Sequence, residues 1–173
     1  MRKKAEDEEL VLAYVDETGF DAVHPNQYAW SPKGERHLIQ ADRGSRLNVI
    51  GAMLSTGQLY AHKLWKTTDS AAFSAFIENL VHHVGKPLTI VMDNASIHTS
   101  KLMINVMAAL AEKGVSFYRL PAYSPELNRI ERLWHKMKYA WMKAKRRDKI
   151  ILEQDVTEII DGFGKGKKFE LKF

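Results

Sequence analysis

The stretch LTIVMDNASIHTS, residues 88–100, joins an apolar run directly to a carboxylate. Residues 88–92 show no polar alternation, a pattern typical of a strand that is covered on both faces of its sheet. Asp93 follows at once. In sheets of this kind, ligands gather beyond the carboxyl ends of the strands. We therefore predict a buried strand with Asp93 at the functional edge of the sheet.

The rest of the chain predicts further strands and helices around this one. A second apolar run, LVLAYV (10–15), ends in Asp16-Glu17 before Thr18-Gly19 interrupts it, so we expect two strands that finish in carboxylates. The other predicted strands are a short edge strand within 27–37, a hairpin formed by RLNVIGAML (46–54) and QLYAHKLW (58–65), and VSFYRLP (115–121). Apolar periodicity predicts helices over 69–84, 100–113, 128–146 and 149–161.

This order of elements predicts an α/β fold. Three strands in meander order, followed by alternating helices and strands, indicate a mixed five-stranded sheet with helices on its faces. The length of 173 residues suits a single domain over 1–173, for which we expect flexible ends at 1–9 and 164–173.

Composition narrows the function classes. Cysteine is absent, which excludes disulfides, thiolate metal sites and a cysteine nucleophile. The start, MRKKAEDEEL, lacks the apolar segment of a signal peptide, and no apolar run reaches the length of a membrane span, so we expect a cytoplasmic protein without a membrane partner. The formal net charge of +5 favours a polyanionic partner.

Basic residues are concentrated late in the chain. Seven lie between positions 136 and 149 against the single acid Asp148, with Tyr139 and Trp141 among them. A solvated helix face explains such a run as well as a nucleic-acid interface does. Charge alone therefore leaves both interpretations open.

Asp16 and Asp93 suggest a metal site. Phosphodiester chemistry uses carboxylates to hold Mg²⁺, and two ions about 4 Å apart can serve the attacking and the leaving oxygen. Neighbouring strands lie about 4.8 Å apart, so two carboxylates at adjacent strand ends can share such a pair of ions. Each aspartate taken alone is equally well explained as a strand-end or turn residue.

Glu131 is the candidate third ligand, at the start of the helix predicted from Asn128. It has a structural alternative, because Asn128 as N-cap would place Glu131 at the N3 position of a capping-box variant. Glu126 and Glu17 compete for the ligand role, and spacing excludes neither of them.

Three blocks of sequence carry a family resemblance. YVDETGF (14–20), IVMDNASIHTS (90–100) and LPAYSPELNRIERLW (120–134), in this order, resemble the catalytic domain of DDE transposases of the mariner superfamily, in its bacterial insertion-sequence branch of the insertion sequence 630 type. Thirty-seven residues separate Asp93 from Glu131, a gap of the size that this family shows.

The resemblance implies a fold, a cofactor and a reaction. The fold is ribonuclease H-like, and Asp16, Asp93 and Glu131 are the catalytic and metal-binding triad for two Mg²⁺ ions, with Mn²⁺ as a substitute. The reaction is hydrolysis of the phosphodiester at transposon ends, after which the freed 3′ hydroxyl attacks target DNA. The partner is double-stranded DNA, bound by a homodimer and in a bacterium associated with the nucleoid.

Two departures from the family pattern bear on these expectations. Arg129 stands where the family has a proline that rigidifies the first helical position. Only about ten residues precede the first strand, whereas such transposases carry helix-turn-helix modules ahead of the catalytic domain. We therefore expect that reading of the transposon ends depends on a separate helix-turn-helix chain.

A truncated or split product that keeps the fold and is inactive alone is the alternative function. A haloacid-dehalogenase phosphatase fits poorly, because such enzymes need an Asp where Thr18 stands.

Supporting residues come from the same blocks and from the basic stretch. Candidates for orienting the triad or touching phosphate are Asn94, His98, Asn128 and His135, although capping, packing or surface roles explain each of these residue types as well. The predicted DNA-binding residues are Lys33, Arg36, Arg132, Lys136, Lys138, Lys143, Arg146 and Arg147.

Overall fold

A mixed sheet forms the centre of the protein. The computed structural model describes residues 10–22, 32–35, 45–143, 145, 147–166 and 168–171. The described strands are β1 (Val11–Asp21), β2 (Arg46–Leu54), β3 (Leu59–Leu64), β4 (Leu88–Met92) and β5 (Ser116–Arg119), in the order β3-β2-β1-β4-β5. β1 to β3 form an antiparallel meander, and β4 and β5 join it in parallel. The predicted mixed five-stranded sheet is confirmed.

Helices α1 (Ser70–Val84) and α2 (Lys101–Ala111) cover one face of the sheet. Both begin at a residue whose side chain accepts a hydrogen bond from the first turn, Asp69 for α1 and Ser100 for α2. Such caps satisfy backbone N–H groups that have no partner within the helix. The buried residues of α1 pack on Val11, Ala13 and Val15 of β1. The helices α1 and α2 therefore form one layer against the sheet whose edge carries Asp93.

Helices α3 (Arg129–Lys136) and α4 (Lys149–Gly162) cover the opposite face. Ile130, Leu133 and Trp134 of α3 share a buried cluster with Phe20 of β1. Because side chains alternate along a strand, β1 supplies its odd-numbered residues to the first face and its even-numbered residues to this one. Consecutive residues Asp16 and Glu17 therefore point to opposite faces.

The predicted long helix over 128–146 is wrong in its second half. The α-helical part ends at Lys136, and Met137–Trp141 form one turn of π-helix that closes with a bond from the Met142 N–H to the Met137 carbonyl. The chain then folds back instead of continuing. Arg147 stabilises the segment after this turn by donating to the carbonyls of Lys143 and Lys145.

The prediction that the first strand ends at its acids is also wrong. β1 continues to Asp21, because its pairing with β2 runs on through the Thr18-Gly19 positions. Asp16 is thus a residue within a strand. What ends near it is the pairing with β4, whose last described pair joins Tyr14 to Val91.

The described part of the C-terminal segment packs on the body of the protein. Phe169 is buried, its ring lies 5.4 Å from that of Trp141, and its carbonyl accepts from the Gly164 N–H. The expectation of a flexible end at 164–173 stays a prediction, and these contacts are the ones that such motion would have to break. The predicted flexible start at 1–9 and most of the predicted edge strand over 27–37 lie outside the described residues. Within the described ranges, no helix is long and apolar enough to cross a membrane.

Candidate active site

Asp16 and Asp93 lie side by side at the carboxyl end of β4. β1 and β4 are parallel neighbours, and Tyr14 is paired with Val91. Two residues further along each strand, the same register brings Asp16 next to Asp93. Both line a cleft of about 410 Å³. The condition for a shared metal site, that the strands leading to the two aspartates are neighbours, is therefore met.

Glu131, in the first turn of α3, lines the same cleft. The capping-box alternative does not apply, because the Asn128 side chain makes no capping bond at this helix start. Instead Asn128 is buried, and its Nδ2 donates to the Val15 carbonyl at 3.1 Å. Asn128 thus attaches the start of α3 to β1 beside Asp16, and it leaves Glu131 at the cleft.

The two competing glutamates occupy other positions. Glu17 points to the opposite face of β1, where its Oε1 lies 2.9 Å from Nε2 of His98. Glu126 is exposed in the short 3-10 helix Pro125–Leu127 and is absent from the lining of the carboxylate cleft. Of the three glutamates, Glu131 is the one that shares the cleft with both aspartates.

Asp16 sits in a strongly perturbed environment. Burial raises the pKa of Asp16 to about 8, and the negative charges of Glu131, Glu17 and Asp93 add to this effect. Trp134, one turn after Glu131 on α3, donates from Nε1 to Asp16 Oδ2 at 3.1 Å. A desolvated carboxylate among other carboxylates is the environment that a bound cation stabilises.

His98 is the buried neighbour of Asp93. Its side chain is fully buried, with Nδ1 at 2.7 Å from Asp93 Oδ1 and Nε2 at 2.9 Å from Glu17 Oε1. Burial by itself lowers the pKa of His98, but hydrogen bonding and charge from Glu17, together with Asp93, outweigh it and raise the pKa above its usual value. Because carboxylates accept hydrogen bonds, this geometry suits an imidazolium that donates from both nitrogens.

The donor set of the cleft fits a hard divalent cation. Asp16, Asp93 and Glu131 offer carboxylate oxygens, which Mg²⁺ prefers, and Mg²⁺ is commonly held by one or two carboxylates together with waters and substrate phosphates. Across the described ranges, no three His, Asp or Glu side chains are gathered closely enough to surround an ion by themselves. A cation held here would therefore need further ligands, such as water or a substrate phosphate.

An uncharged loop, residues 120–125, forms one wall of the cleft. Its beginning is attached to β4, because the Leu120 N–H donates to the Met92 carbonyl and Asn94 Nδ2 donates to the Leu120 carbonyl at 2.8 Å. Asn94 thus ties this loop to the Asp93 segment. Tyr123 at the loop tip is fully exposed and has a φ of 57°.

A larger groove of about 1,120 Å³ adjoins the carboxylate cleft and shares Glu131 with it. Arg132, His135 and Lys136 line this groove, so three of the predicted supporting and DNA-binding residues meet on one surface. The His135 ring lies 4.8 Å from the Tyr139 ring. Lys138 lies on the far side of the helix, half-buried, with its Nζ 5.7 Å from the centre of the Phe20 ring.

Arg147 does not occupy a DNA-contacting position. Its side chain is 1% exposed, and its Nε donates to Asp155 Oδ2 at 2.7 Å. Arg147 therefore forms a buried ion pair with Asp155 that serves the fold, and the prediction that Arg147 binds DNA is wrong. Lys143 and Lys33 are exposed and line neither the carboxylate cleft nor the adjoining groove. Arg36 and Arg146 lie outside the described residues.

The roles of Trp134 and Glu17 at the site are not predictable from the sequence. The pattern places Trp134 only on the apolar stripe of its helix, and it offers Glu17 only as a competing ligand. The available signals are the three-residue spacing from Glu131 to Trp134 and the alternation along β1. Neither signal identifies a hydrogen-bond partner before the strands are placed.

Known proteins share the sequence pattern and the fold of this chain. The family model described as DDE superfamily endonuclease matches residues 11–152. A Mos1 transposase chain, solved as a paired-end complex with the left transposon end, superposes with a TM-score of 0.71 at 18% identity, over 97% of this chain and 51% of that chain. This chain therefore spans about half the length of that one. No curated protein sequence matches the chain.

Two isolated catalytic domains have the same fold. The catalytic domain of Mos1 mariner transposase superposes with a TM-score of 0.65 at 15% identity, over 97% of this chain and 76% of that chain. The catalytic core domain of BIV integrase superposes with a TM-score of 0.50 at 14% identity, over 87% of this chain and 82% of that chain. These likenesses confirm the predicted ribonuclease H-like fold.

Proposed function

Because the chain belongs to the DDE superfamily of endonucleases, we propose that it is the catalytic domain of a DNA transposase of the mariner superfamily, in the bacterial insertion sequence 630 branch. It hydrolyses phosphodiesters at transposon ends and transfers the freed strand into target DNA. The observation that carries this proposal is the meeting of Asp16, Asp93 and Glu131 in one cleft.

The three carboxylates are the proposed ligands of two Mg²⁺ ions, for which Mn²⁺ can substitute. Bound divalent cations supply Lewis-acid activation of the phosphate and of the attacking and leaving oxygens. In support, Mos1 paired-end complexes were solved with Mn and with Mg. Trp134 and His98 each hold one aspartate by a ring N–H group, so two of the three ligands are held in place before the cations and DNA arrive.

Substrate DNA is proposed to follow the groove beside the carboxylate cleft. Arg132, Lys136 and Lys168 carry positive charge there, and the acids Glu126 and Glu170 also line the groove. Glu131 belongs to both surfaces. Phosphates held by such side chains position the duplex without reading its sequence. The phosphate backbone of a DNA strand in this groove would lie next to the three carboxylates.

Recognition of the transposon ends is proposed to come from a helix-turn-helix region outside residues 1–173, with a homodimer assembled on DNA and associated with the bacterial nucleoid. In support, the similar Mos1 chain forms a paired-end complex with its transposon end and is about twice as long as the part matched here. This chain would then supply the chemistry, and its partner region would supply the specificity.

Metal-dependent nicking of supercoiled plasmid by the purified chain tests the proposal, with Mn²⁺ binding measured in parallel. We expect Asp16→Asn, Asp93→Asn and Glu131→Gln each to lower the nicking rate at least about 100-fold, because each removes a ligand from a charge-stabilised transition state. Glu126→Gln tests the competing ligand, since Glu126 lines the adjoining groove but not the carboxylate cleft. Glu78→Gln, at an exposed position of α1 away from both surfaces, is the matched control. Loss of activity in Glu126→Gln with retention in Glu131→Gln would overturn the assigned triad. A wild-type chain that neither binds Mn²⁺ nor nicks DNA would overturn the function.

A further inference from the structure

His98 joins two carboxylates that lie on different strands. Glu17 belongs to β1, whereas Asp93 follows β4. The imidazole lies between them with one ring nitrogen on each, at 2.9 Å from Glu17 and 2.7 Å from Asp93. It therefore links the Asp93 loop to the strand that carries Asp16.

The imidazole itself has little freedom to move. Its side chain is fully buried, and its ring lies 4.2 Å from the ring of Phe73 on α1. The backbone carbonyl of His98 also accepts a hydrogen bond from Arg119 of β5 at 3.3 Å. A ring packed in this way provides a rigid support for a more mobile carboxylate.

Asp93 is the group that needs such support. Its side chain is 51% exposed and follows the last residue of β4. The His98 ring and the Ala95 N–H both approach Oδ1, at 2.7 and 2.9 Å. Two donors on one oxygen restrict the rotation of the carboxylate, and Oδ2 would remain available to a cation in the cleft.

Glu17 is placed to act on Asp93 through His98. Its side chain is 18% exposed and points to the face of β1 opposite Asp16. Its Oε1 contacts the ring nitrogen that does not contact Asp93. A carboxylate on the remote nitrogen orients the ring and strengthens the donation from the near one, as carboxylates do behind metal-binding histidines.

We propose that Glu17 and His98 form a positioning pair that fixes the carboxylate of Asp93 for the metal-dependent reaction. This inference rests on the proposed function, and it assigns Glu17 a positioning role in place of the ligand role for which it competed in the sequence. Neither residue touches the reacting atoms. The pair acts by holding Asp93 in the orientation that the cation requires.

Two substitutions of His98 separate its two contacts. The amide N–H of Asn lies near the position of the histidine Nδ1, whereas that of Gln lies near Nε2. His98→Asn therefore retains donation to Asp93, and His98→Gln retains donation to Glu17. Both remove the ring contact with Phe73, so their effects on unfolding should be similar. We expect His98→Gln to weaken Mn²⁺ binding by about 10- to 100-fold, the usual effect of losing such an outer contact, and His98→Asn to weaken it less.

A double-mutant cycle tests whether Glu17 works through His98. Mn²⁺ dissociation constants are measured for wild type, Glu17→Gln, His98→Gln and the double variant, with urea unfolding as a check that each is folded. We expect Glu17→Gln to weaken Mn²⁺ binding in the wild-type background and to have little further effect beside His98→Gln, because coupled residues are not additive. Multiplicative effects would overturn the positioning role and indicate an independent ligand. The nicking assay provides the second readout, in which the variants should approach the wild-type rate at saturating Mn²⁺.

The outcomes separate this inference from the function on which it rests. Equal Mn²⁺ affinities in wild type, His98→Asn and His98→Gln would contradict the role of the positioning pair. The proposed function would stand in that case if the triad variants still lose nicking activity. A wild-type chain that fails to bind Mn²⁺ overturns the proposed function, and the inference falls with it. If His98→Gln does not fold, Glu17→Gln alone remains decisive, since unchanged Mn²⁺ affinity in that variant contradicts the role of Glu17.

Discussion

Gly51 lies directly opposite Asp16 in the ladder between β1 and β2. A Cβ atom on Gly51 would lie 2.6 Å from Cη2 of Trp134, whose Nε1 holds Asp16 Oδ2. The missing side chain on β2 therefore creates the space for the ring that positions Asp16. A packing feature on one strand thus controls a functional group on the next.

Gly51→Ala should displace Trp134 and lower both stability and activity. The ring is buried between α3 and the sheet and cannot yield freely, so we expect the free energy of unfolding to fall by about 1–3 kcal/mol, as for other overpacked cores. Urea unfolding measures the loss, and the nicking rate reports the disturbance of Asp16. Wild-type stability with an unshifted tryptophan emission spectrum would contradict this account.

Trp134→Phe provides the control for that substitution. The smaller ring removes the atoms that the methyl group introduced by Gly51→Ala would meet, so Gly51→Ala should be better tolerated in this background. The same variant loses the N–H donated to Asp16, and we expect Mn²⁺ affinity to stay reduced even where stability is restored. A double-mutant cycle on urea unfolding measures the coupling between the two positions.

Lys136 and Arg147 should differ in what their loss affects. Lys136→Ala removes an exposed charge from the groove, so DNA affinity should fall and the slope of log K against log salt should decrease by about 0.9. Arg147→Met instead removes buried donors to Asp155 and two carbonyls and should lower the free energy of unfolding by about 1–3 kcal/mol without changing that slope. Salt-dependent DNA binding and urea unfolding distinguish the two. The assignment fails if Arg147→Met changes the salt slope and Lys136→Ala does not.

The Arg147 ion pair should also make stability sensitive to acid. Burial alone would raise the pKa of Asp155, but hydrogen bonds and charge from Lys145 and Arg147 outweigh it and bring the pKa below its usual value. A carboxyl group whose pKa is depressed by folding stabilises the protein above its unfolded pKa, and this stabilisation is lost as the pH falls through the folded pKa. The Tm difference between wild type and Asp155→Asn should therefore be full at pH 6 and vanish in strong acid. Parallel Tm curves over this range would show that the pair does not titrate as described.

Tyr123→Gly should stabilise the protein. Tyr123 has a φ of 57° and is fully exposed, so its side chain adds strain without burying apolar surface. Glycine adopts this conformation readily, and its greater freedom in the unfolded chain offsets part of the gain. We expect the free energy of unfolding to rise by up to about 1 kcal/mol. Tyr123→Ala is the matched control, because it removes the same ring and keeps the strain. Equal stabilities of the two variants would rule out backbone strain at this position.

The fold was predictable where the pattern of residues is local and strong. The strand before Asp93 and the helix α1 could both be predicted without tertiary information. A strand buried on both faces has a continuous apolar run, and a helix buried on one face has apolar residues every three or four positions. The long helix was overpredicted because a basic, amphipathic stretch continues past Lys136, and the turn back depends on Arg147 meeting Asp155. The contact between Arg147 and Asp155 joins α4 to the segment before it, so the local sequence pattern does not predict the turn.

The same division holds for the candidate site. The order of the residues by itself determined that Asp93 follows a buried strand, that Asp16 follows another apolar run, and that Glu131 opens a helix, because each is a local relation between a polar residue and its apolar neighbours. Tertiary structure alone decided which partners they have. The pairing of β1 with β4 puts the two aspartates side by side, alternation along β1 sends Glu17 to His98 and Asp16 to Trp134, and the bond from Asn128 to Val15 leaves Glu131 at the cleft. These contacts join residues far apart in the chain, and they exist only once strand register and helix packing have been established.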